Sequence, residues 1–204
     1  MIQMPEPTKE RLLHLMRILE KSEASGVTSS HIEGLTGWSS YTIRKDIAWL
    51  GGDYGSSSGY HPSVLVPAIK RALGLDQERR FCVVGLGRLG SAYLNLDASA
   101  WEEFKLIAGF DTNVNRVEIL KSSVPLYPAY KMADIINRFA IELALLCVPE
   151  ATAQGAAEKL VAAGIQGILN FAPLVVRVPP EIPVRNVYVV DALRSLSIQV
   201  KDNS

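Results

Sequence analysis

The first 75 residues carry apolar positions at helical spacing. In the opening segment they recur at i, i+3, i+4 and i+7 with charged residues on the other side, at Leu12, Leu15, Met16 and Leu19. This spacing predicts an amphipathic helix, because 3.6 residues per turn place such positions on one face. The helix is expected to begin near Pro7 and to end before Gly26.

Two shorter helices follow. Ser30 and Glu33 have the spacing of a capping box, which predicts that the second helix begins at Ser30 and ends at Gly37. The third begins at Ser39 or Ser40. A glycine-containing turn between two short helices is typical of a helix-turn-helix.

The stretch 51–60 is rich in glycine and serine and has room for a β-hairpin, which is where the wing of a winged helix lies. Residues 63–74 predict one more helix, and a charged linker follows over 76–80. We therefore expect an N-terminal winged-helix domain over residues 1–79.

From residue 81 the pattern changes to short apolar runs separated by helical stretches. The runs are 81–85, 104–110, 142–148, 166–172 and 187–191. Nearly continuous apolar strands that alternate with helices predict a parallel sheet covered on both faces. The expected α/β fold thus has a Rossmann-type domain over 80–190 and a C-terminal helix over 191–204.

A glycine motif joins the first of these runs to a helix. It reads Gly85, Leu86, Gly87, Arg88, Leu89, Gly90. Such a motif after a strand binds a dinucleotide: Gly85 permits the tight turn, Gly87 admits the pyrophosphate and Gly90 lets helix and strand pack closely. Arg88 and Leu89 open the helix whose N–H groups face the phosphates.

Asp111 ends the next apolar run, where a carboxylate accepts hydrogen bonds from the adenosine ribose. It repels a 2′-phosphate, so the site is expected to prefer NAD(H) over NADP(H). The alternative role of Asp111 is that of a helix N-cap. Residues at the ends of later strands are candidates for the nicotinamide half of the site, with plain turn chemistry as the alternative: Val148, Pro149, Asn170 and Phe171.

The third helix offers candidate contacts with DNA. Ser39, Ser40 and Tyr41 can reach phosphates, while Arg44 has the geometry to read a guanine edge and Lys45 to bind a base or phosphate. The alternative is a solvated helix face.

Composition changes this interpretation little. Basic and acidic residues number 21 each, so net charge does not by itself indicate nucleic acid. Cys82 and Cys147 stand in apolar runs and are expected to be buried strand residues. We expect no metal, no membrane partner and a cytoplasmic location, since no apolar run approaches the roughly 18 residues of a membrane span.

An NAD-dependent oxidoreductase is the main alternative class. Such an enzyme needs a substrate domain and a general acid or base, most often a histidine. His14, His31 and His61 all precede the Rossmann-type region, and no substrate domain remains. We therefore expect a protein that is not an enzyme.

Taken together, these segments resemble the Rex family of redox-sensing repressors over essentially the whole chain. The matching segments are 15–20, 41–51, 59–75, 83–92, 109–111 and 162–179. The resemblance implies a homodimer that exchanges its C-terminal helix, binds operator DNA and is regulated by NADH and NAD⁺. The run 192–200 fits this, because it places Leu193, Leu196 and Val200 on one apolar face.

The chain departs from the family pattern at three places. The wing, in which Ser57 and Tyr60 are candidate DNA contacts, has no Lys or Arg at its tip to enter the minor groove. Better-studied members have an Asp and then a Phe before the last helix, and Tyr188 and Val189 stand at those positions here. In those members the Asp pairs with an arginine of the first helix, which Arg17 matches, and the Phe packs near the nicotinamide. Family members often have a tyrosine a few residues after the glycine motif, and Leu96 stands at that position in this chain.

The resemblance implies that Arg17, Tyr188 and Val189 form an interdomain switch, which these departures are expected to weaken. A repressor with weak redox discrimination, or one that reads another adenine ligand such as a coenzyme A derivative, remains a nearer alternative than the oxidoreductase.

Overall fold

The computed structural model describes residues 4–56 and 58–202. The chain divides into two compact units, Met1–Gln77 and Glu78–Ser204. The division falls two residues before the predicted boundary, because Arg79 already pairs with Phe104 in the sheet of the second unit.

The described residues of the first unit form four helices. These are α1 (Glu6–Glu20), α2 (Ser29–Thr36), α3 (Ser40–Ala48) and α4 (Pro62–Leu73). Each contributes its apolar face to one core, which contains Leu12, Leu15, Met16, Leu19, Ile32, Ile43, Ile47, Leu65 and Ile69. The spacing in the sequence therefore identified the buried face of α1 correctly, although α1 ends at Glu20, well before Gly26.

The predicted capping box at Ser30 is wrong. Helix α2 is capped by Thr28, whose side chain accepts a hydrogen bond from the backbone N–H of His31 at 3.1 Å. Glu33 instead reaches forward, and its carboxylate accepts a hydrogen bond from the backbone N–H of Ser40 at 3.1 Å. Thr28 and Ser30 both have capping side chains, so residue type alone did not decide between them.

The predicted β-hairpin wing stays a prediction, because the structure does not describe every residue of the stretch 51–60. Within it, Tyr60 forms an antiparallel bridge, exchanging backbone hydrogen bonds of 2.8 and 2.9 Å with Val27. Ser56 and Gly59 also exchange two backbone hydrogen bonds, each of 3.1 Å. Ser57, a predicted DNA contact, lies outside the described residues.

The second unit contains a six-stranded parallel sheet in the order β3-β2-β1-β4-β5-β6 among its described residues. The strands are β1 (Arg79–Val84), β2 (Phe104–Asp111), β3 (Leu126–Pro128), β4 (Leu143–Leu146), β5 (Gly167–Asn170) and β6 (Val184–Asn186). The helices are α5 (Arg88–Leu94), α6 (Val114–Ile119), α7 (Met132–Phe139), α8 (Glu150–Ala162) and α9 (Val189–Asp202).

Successive residues of β1 point to opposite faces of the sheet. Cys82 and Val84 enter one apolar cluster, and Phe81 and Val83 enter another. The sheet is therefore covered on both faces, as its nearly continuous apolar strands predicted. Burial raises the pKa of Cys82 to about 12, so this thiol stays protonated at neutral pH.

The predicted strand 187–191 is wrong. The last strand is β6, which ends at Asn186, and α9 already begins at Val189. The run 187–190 consists of three valines and a tyrosine, which are typical of strands, but Val189 and Val190 are exposed, so no described core fixes them as a strand. Strand β3 was missed, because it has three residues and includes Pro128 at the edge of the sheet.

Among the described residues, none of the helices is both long and apolar enough to cross a membrane.

Candidate functional site

The glycine turn lies where the strand order of the sheet reverses, between β1 and β4. Gly85 follows β1 with φ +92°, a left-handed conformation that favours glycine. A Cβ there would lie 2.7 Å from the carbonyl oxygen of Cys147 and from Cγ1 of Val148. The ends of β1 and β4 therefore meet at Gly85, in the crevice where sheets of this type bind ligands.

Gly90 and Gly87 serve different purposes. A Cβ on Gly90 would lie within 1.9 Å of the carbonyl oxygen of Gly85, so the packing of α5 on the turn requires glycine. A Cβ on Gly87, the N-cap of α5, would meet no described atom within 4 Å. The fold therefore has no steric need for glycine at 87, which leaves that space open for a bound group.

Arg88 and Leu89 lie at the start of α5, as predicted. Both side chains are exposed, beside the open space at Gly87. Their backbone N–H groups belong to the first turn of α5, where N–H groups lack partners within the helix. A cationic side chain and such N–H groups suit a pyrophosphate.

Asp111 ends β2 and is 5% exposed. Its Oδ2 accepts hydrogen bonds from the backbone N–H of Leu86 at 2.7 Å and from Nη1 of Arg116 at 3.0 Å. Its Oδ1 accepts one from the backbone N–H of Asn113 at 2.8 Å. The carboxylate thus ties the glycine turn to the end of the neighbouring strand.

These partners keep Asp111 ionised. Burial alone raises its pKa, but hydrogen bonds from Asn113, Leu86 and Arg116 outweigh burial and hold the pKa below its ordinary value. The alternative role of Asp111 as a helix N-cap is wrong, because Asn113 caps α6 and accepts the hydrogen bond of the Arg116 N–H. Contact between Asp111 and a ribose stays a prediction.

Sequence reasoning missed Arg116. It lies on α6, five residues after Asp111, and its side chain is 45% exposed. An arginine within a short helix after the acidic residue was the available signal, since an arginine there accommodates a ribose phosphate in related folds.

The candidates for the nicotinamide half differ in accessibility. Val148 lies against Gly85, and Pro149 is exposed at the N-cap of α8. Asn170 is fully buried. Its side-chain amide donates hydrogen bonds to the carbonyl oxygen of Leu174 and to Oδ1 of Asn186, and its Oδ1 accepts one from the backbone N–H of Ala172. Its side chain therefore stabilises the segment after β5, and contact with a ligand stays a prediction.

Phe171 follows β5 and is partly buried. The centroid of its ring lies 5.1 Å from that of Tyr93 on α5, and the ring centroids of Tyr93 and Trp101 lie 5.9 Å apart. These contacts fix the Phe171 ring beside the helix that begins at the glycine turn. Its contact with a nicotinamide likewise stays a prediction.

Helix α3 presents a polar face to solvent. Tyr41, Arg44 and Lys45 are exposed, while Ile43 and Ile47 enter the core from the opposite face. Toward the residues that the structure describes, Nη1 of Arg44 donates a weak hydrogen bond, 3.3 Å to Oγ of Ser29, and its charge attracts the carboxylate of Glu33. The arginine is therefore available for a partner outside the chain.

The serines at the start of α3 are already engaged. Oγ of Ser39 accepts a hydrogen bond from the backbone N–H of Thr42 at 3.2 Å and caps the helix. Ser40 donates its hydroxyl proton to Glu33, which lowers the pKa of that exposed glutamate. Contacts from Ser39 and Ser40 to phosphate stay predictions, and Glu33 is a negative charge at this face that sequence reasoning missed.

Tyr60 holds the start of α4 near α2 through its bridge with Val27. Its side chain is partly buried, and burial raises its pKa although the nearby Arg44 opposes this. The phenol therefore stays protonated near neutral pH and is able to donate a hydrogen bond to a phosphate.

The buried Asp46 on α3 also escaped sequence reasoning. Its carboxylate accepts hydrogen bonds from Nε of Arg11 at 2.6 Å, from Nη2 of Arg11 at 2.8 Å and from Oγ1 of Thr8 at 3.0 Å. Both donors lie on α1, so this cluster fixes the position of α3.

The predicted switch residues are exposed. Arg17 lies in the last turn of α1, Tyr188 precedes α9 and Val189 begins it. Their coupling stays a prediction. The described residues bring together no group of three or more His, Cys, Asp or Glu side chains that could hold a metal.

Comparisons with known proteins agree with this division into two units. Residues 3–48 match a family described as "Putative DNA-binding protein N-terminus", and residues 76–174 match one described as "CoA binding domain". The fold resembles that of RSP, a Rex-family repressor solved with β-NAD⁺ and operator DNA, with a TM-score of 0.88 and 29% identity over 100% of this chain and 95% of that one. The structure of RSP with β-NADH is similar with a TM-score of 0.85 and 28% identity, over 100% of this chain and 97% of that one.

Curated relatives match over nearly the whole chain. The redox-sensing transcriptional repressor Rex of Thermus thermophilus is 38% identical over 204 residues, covering 98% of this chain and 95% of the relative. The protein of the same description from Ligilactobacillus salivarius is 31% identical over 198 residues, covering 96% of this chain and 93% of that relative. The chain therefore belongs to the Rex family of redox-sensing transcriptional repressors.

Proposed function

We propose that this protein represses transcription by binding operator DNA through α3, and that NADH or NAD⁺ bound at the glycine turn controls this binding. RSP has been solved with β-NAD⁺ and operator DNA and with β-NADH, which supports both ligands. DNA binding places its action inside the cell, in the cytoplasm. Because the Rex family consists of repressors, we assign no catalytic residue.

One observation carries the proposal most directly. Leu86, inside the glycine turn, donates its N–H to Asp111 at 2.7 Å. This hydrogen bond places the open space at Gly87 and an ionised carboxylate on the same edge of the sheet. A pyrophosphate at the start of α5 and a ribose at Asp111 therefore fit one dinucleotide. Val148 and Phe171 follow the neighbouring strands, where the nicotinamide half is expected.

The DNA contacts that we propose come from the exposed face of α3. Arg44 is assigned to a guanine edge, and Lys45, Tyr41 and Tyr60 to phosphates or a second base. Each chain offers α3 as its proposed recognition helix, and a single short helix makes few base contacts. We therefore infer that the protein binds a two-fold symmetric operator as a homodimer.

Helix α9 supports the dimer. Its apolar side chains Leu193, Leu196 and Val200 are each more than half exposed within one chain. Burying such a face against a partner removes apolar surface from water, at about 25 cal/mol per Å². Exchange of α9 between two subunits is the arrangement we propose, and light scattering at micromolar concentration should give the mass of a dimer.

A coenzyme A derivative is the second candidate effector, since residues 76–174 match a CoA-binding domain. Coenzyme A carries a phosphate on its adenosine ribose, and the ionised, buried Asp111 repels that group. The site therefore favours NAD(H). Titration with coenzyme A under the same conditions separates the two effectors.

We further propose that redox discrimination is weak. Tyr188 offers Arg17 only a neutral hydrogen bond, worth about 0.5–1.5 kcal/mol, and charge-assisted ones are roughly twice as strong. Val189 provides a smaller apolar surface than phenylalanine. NADH and NAD⁺ are therefore expected to differ in their effect on DNA affinity by less than about tenfold, or 1.4 kcal/mol of coupling.

Calorimetric titration with NADH tests the cofactor site. Gly87→Val should abolish binding, because the side chain fills the space proposed for the pyrophosphate. Gly155→Val is the matched control, since Gly155 lies exposed on α8 and a Cβ there also meets no described atom within 4 Å. Equal NADH affinity in Gly87→Val and Gly155→Val would contradict this assignment.

A further inference from the structure

The carboxylate of Asp111 is almost fully occupied before any ligand binds. An ionised carboxylate offers about four lone-pair directions. Three are used, by Leu86, Asn113 and Arg116. One ribose hydroxyl can therefore bind beside the three donors, but the second hydroxyl of the same ribose has to displace one of them.

Arg116 is the donor that is able to leave. The two backbone N–H groups are fixed by the turn and by the start of α6, whereas the Arg116 side chain is 45% exposed and contacts Oδ2 of Asp111 through Nη1. Water is able to solvate the guanidinium once it leaves, because it is partly exposed, and a ribose hydroxyl then takes its place on the buried Oδ2. Arg116 thus competes with a ribose hydroxyl for Oδ2.

The same side chain changes the charge at this edge. Asp111 alone would present a buried negative charge to the ribose, which excludes a phosphate there. With Nη1 of Arg116 at 3.0 Å, that charge is balanced by a cation with a planar fork suited to phosphate. The selectivity between plain and phosphorylated ribose is therefore set by both residues.

We propose that Arg116 is a specificity-determining residue of the nucleotide site, which weakens binding of an unmodified ribose and strengthens binding of a ribose that carries a 2′-phosphate. This inference rests on the proposed cofactor site. It assigns the preference for NADH to Asp111, and to Arg116 an effect in the opposite direction.

The test measures NADH and NADPH affinities in wild type, Arg116→Ala and Lys121→Ala. Lys121 is an exposed cation just beyond α6, so it controls for loss of one positive charge. In Arg116→Ala, the preference for NADH over NADPH should rise by about fivefold, as expected for loss of one partly exposed ionic contact. Lys121→Ala should leave the preference unchanged.

A second pair of variants isolates the cation. Asp111→Asn keeps one oxygen that accepts a backbone hydrogen bond and removes the negative charge, so its NADPH affinity should rise by about tenfold. In the double variant Asp111→Asn/Arg116→Ala this gain should disappear. Thermal unfolding of each variant shows whether the glycine turn has survived the change.

The outcomes are distinguishable. If wild type binds NADH and Arg116→Ala keeps its preference, or changes it no more than Lys121→Ala does, Arg116 has no role in specificity. If wild type binds neither nucleotide, the proposed cofactor site is itself wrong, and the role of Arg116 falls with it. The single Arg116→Ala variant decides the question even if Asp111→Asn does not fold.

Discussion

Among the residues that the structure describes, each of the two units buries one aspartate, and the two carboxylates are held in different ways. Asp46 takes its hydrogen bonds from side chains on another helix, 35 and 38 residues away in sequence. Asp111 takes two of its hydrogen bonds from backbone N–H groups, and its arginine lies only five residues away. The first carboxylate fixes how helices pack, and the second fixes the shape of a turn.

This difference bears on function. The proposed DNA-binding face of α3 depends on long-range packing behind it, and the residues proposed to contact DNA are exposed. At the proposed nucleotide site, a backbone hydrogen bond joins the glycine turn to Asp111, so a residue proposed to touch the ligand also supports the turn. We therefore expect substitutions to separate stability from binding in the first unit and to combine them at Asp111.

The largest effect is expected at Asp46. Asp46→Ala should lower the free energy of unfolding of the helical unit by about 3 kcal/mol, near the lower end for removing one partner of a buried ion pair, because Arg11 is partly exposed and rehydrates. Chemical denaturation followed by circular dichroism measures this. A loss below about 0.5 kcal/mol, the range of ordinary surface substitutions, would show that α3 does not depend on this cluster.

Arg44→Ala should change DNA binding without a comparable change in stability, since the side chain is exposed. The expected loss is about 1–3 kcal/mol on a preferred sequence and little on random DNA, as for an arginine that reads guanine. Lys45→Ala is the comparison variant: it should weaken both DNAs alike and reduce the salt dependence. The same loss on both DNAs for Arg44→Ala would make Arg44 a phosphate contact only.

Acid should affect Asp111 in a defined direction. Its pKa is lower in the folded protein than in the unfolded chain, so its stabilising contribution is present above the unfolded value, about 3.9. That contribution is lost as the pH falls through the folded value. The stability difference between wild type and Asp111→Asn should be constant above about pH 5 and shrink as the pH falls below about 4. A difference that grows on acidification would mean that the folded pKa is raised.

The smallest effect is expected at Glu33. Glu33→Gln retains an oxygen to cap α3 and removes a negative charge at the proposed DNA-binding face. DNA affinity should rise by less than about tenfold at low salt for any sequence, and the gain should vanish at high salt, where exposed charges are screened. Anisotropy of labelled random DNA at two salt concentrations measures this, and an unchanged affinity at low salt contradicts it.

The sequence was most informative where a feature is local or strictly periodic. The apolar face of α1 and the order of strand, glycine turn and helix at Gly85–Gly90 follow from spacing alone. Gly85 and Gly90 are required by the fold itself, through a positive φ at the first and a Cβ clash of 1.9 Å at the second, so the motif predicts structure as well as binding.

Features that depend on contacts distant in sequence were not predictable in this way. The ion pair between Arg11 and Asp46 has no local signature, and the capping role of Thr28 is equally available to Ser30 by residue type. The wing stays a prediction, because a Gly/Ser-rich stretch permits a hairpin without specifying its pairing. The prediction of a strand over 187–191 was wrong because no described core constrains its apolar side chains.

The central claim is that a nucleotide at the glycine turn controls DNA binding, and one measurement addresses it most directly. A labelled DNA fragment selected for tight binding is titrated with wild type and with Gly87→Val, each with saturating NADH, with saturating NAD⁺ and without nucleotide. For wild type, NADH should weaken DNA binding, with NAD⁺ differing from it by less than about tenfold. Gly87→Val should bind DNA equally with and without nucleotide. If NADH leaves the wild-type affinity unchanged, or acts equally on Gly87→Val, the claim is contradicted.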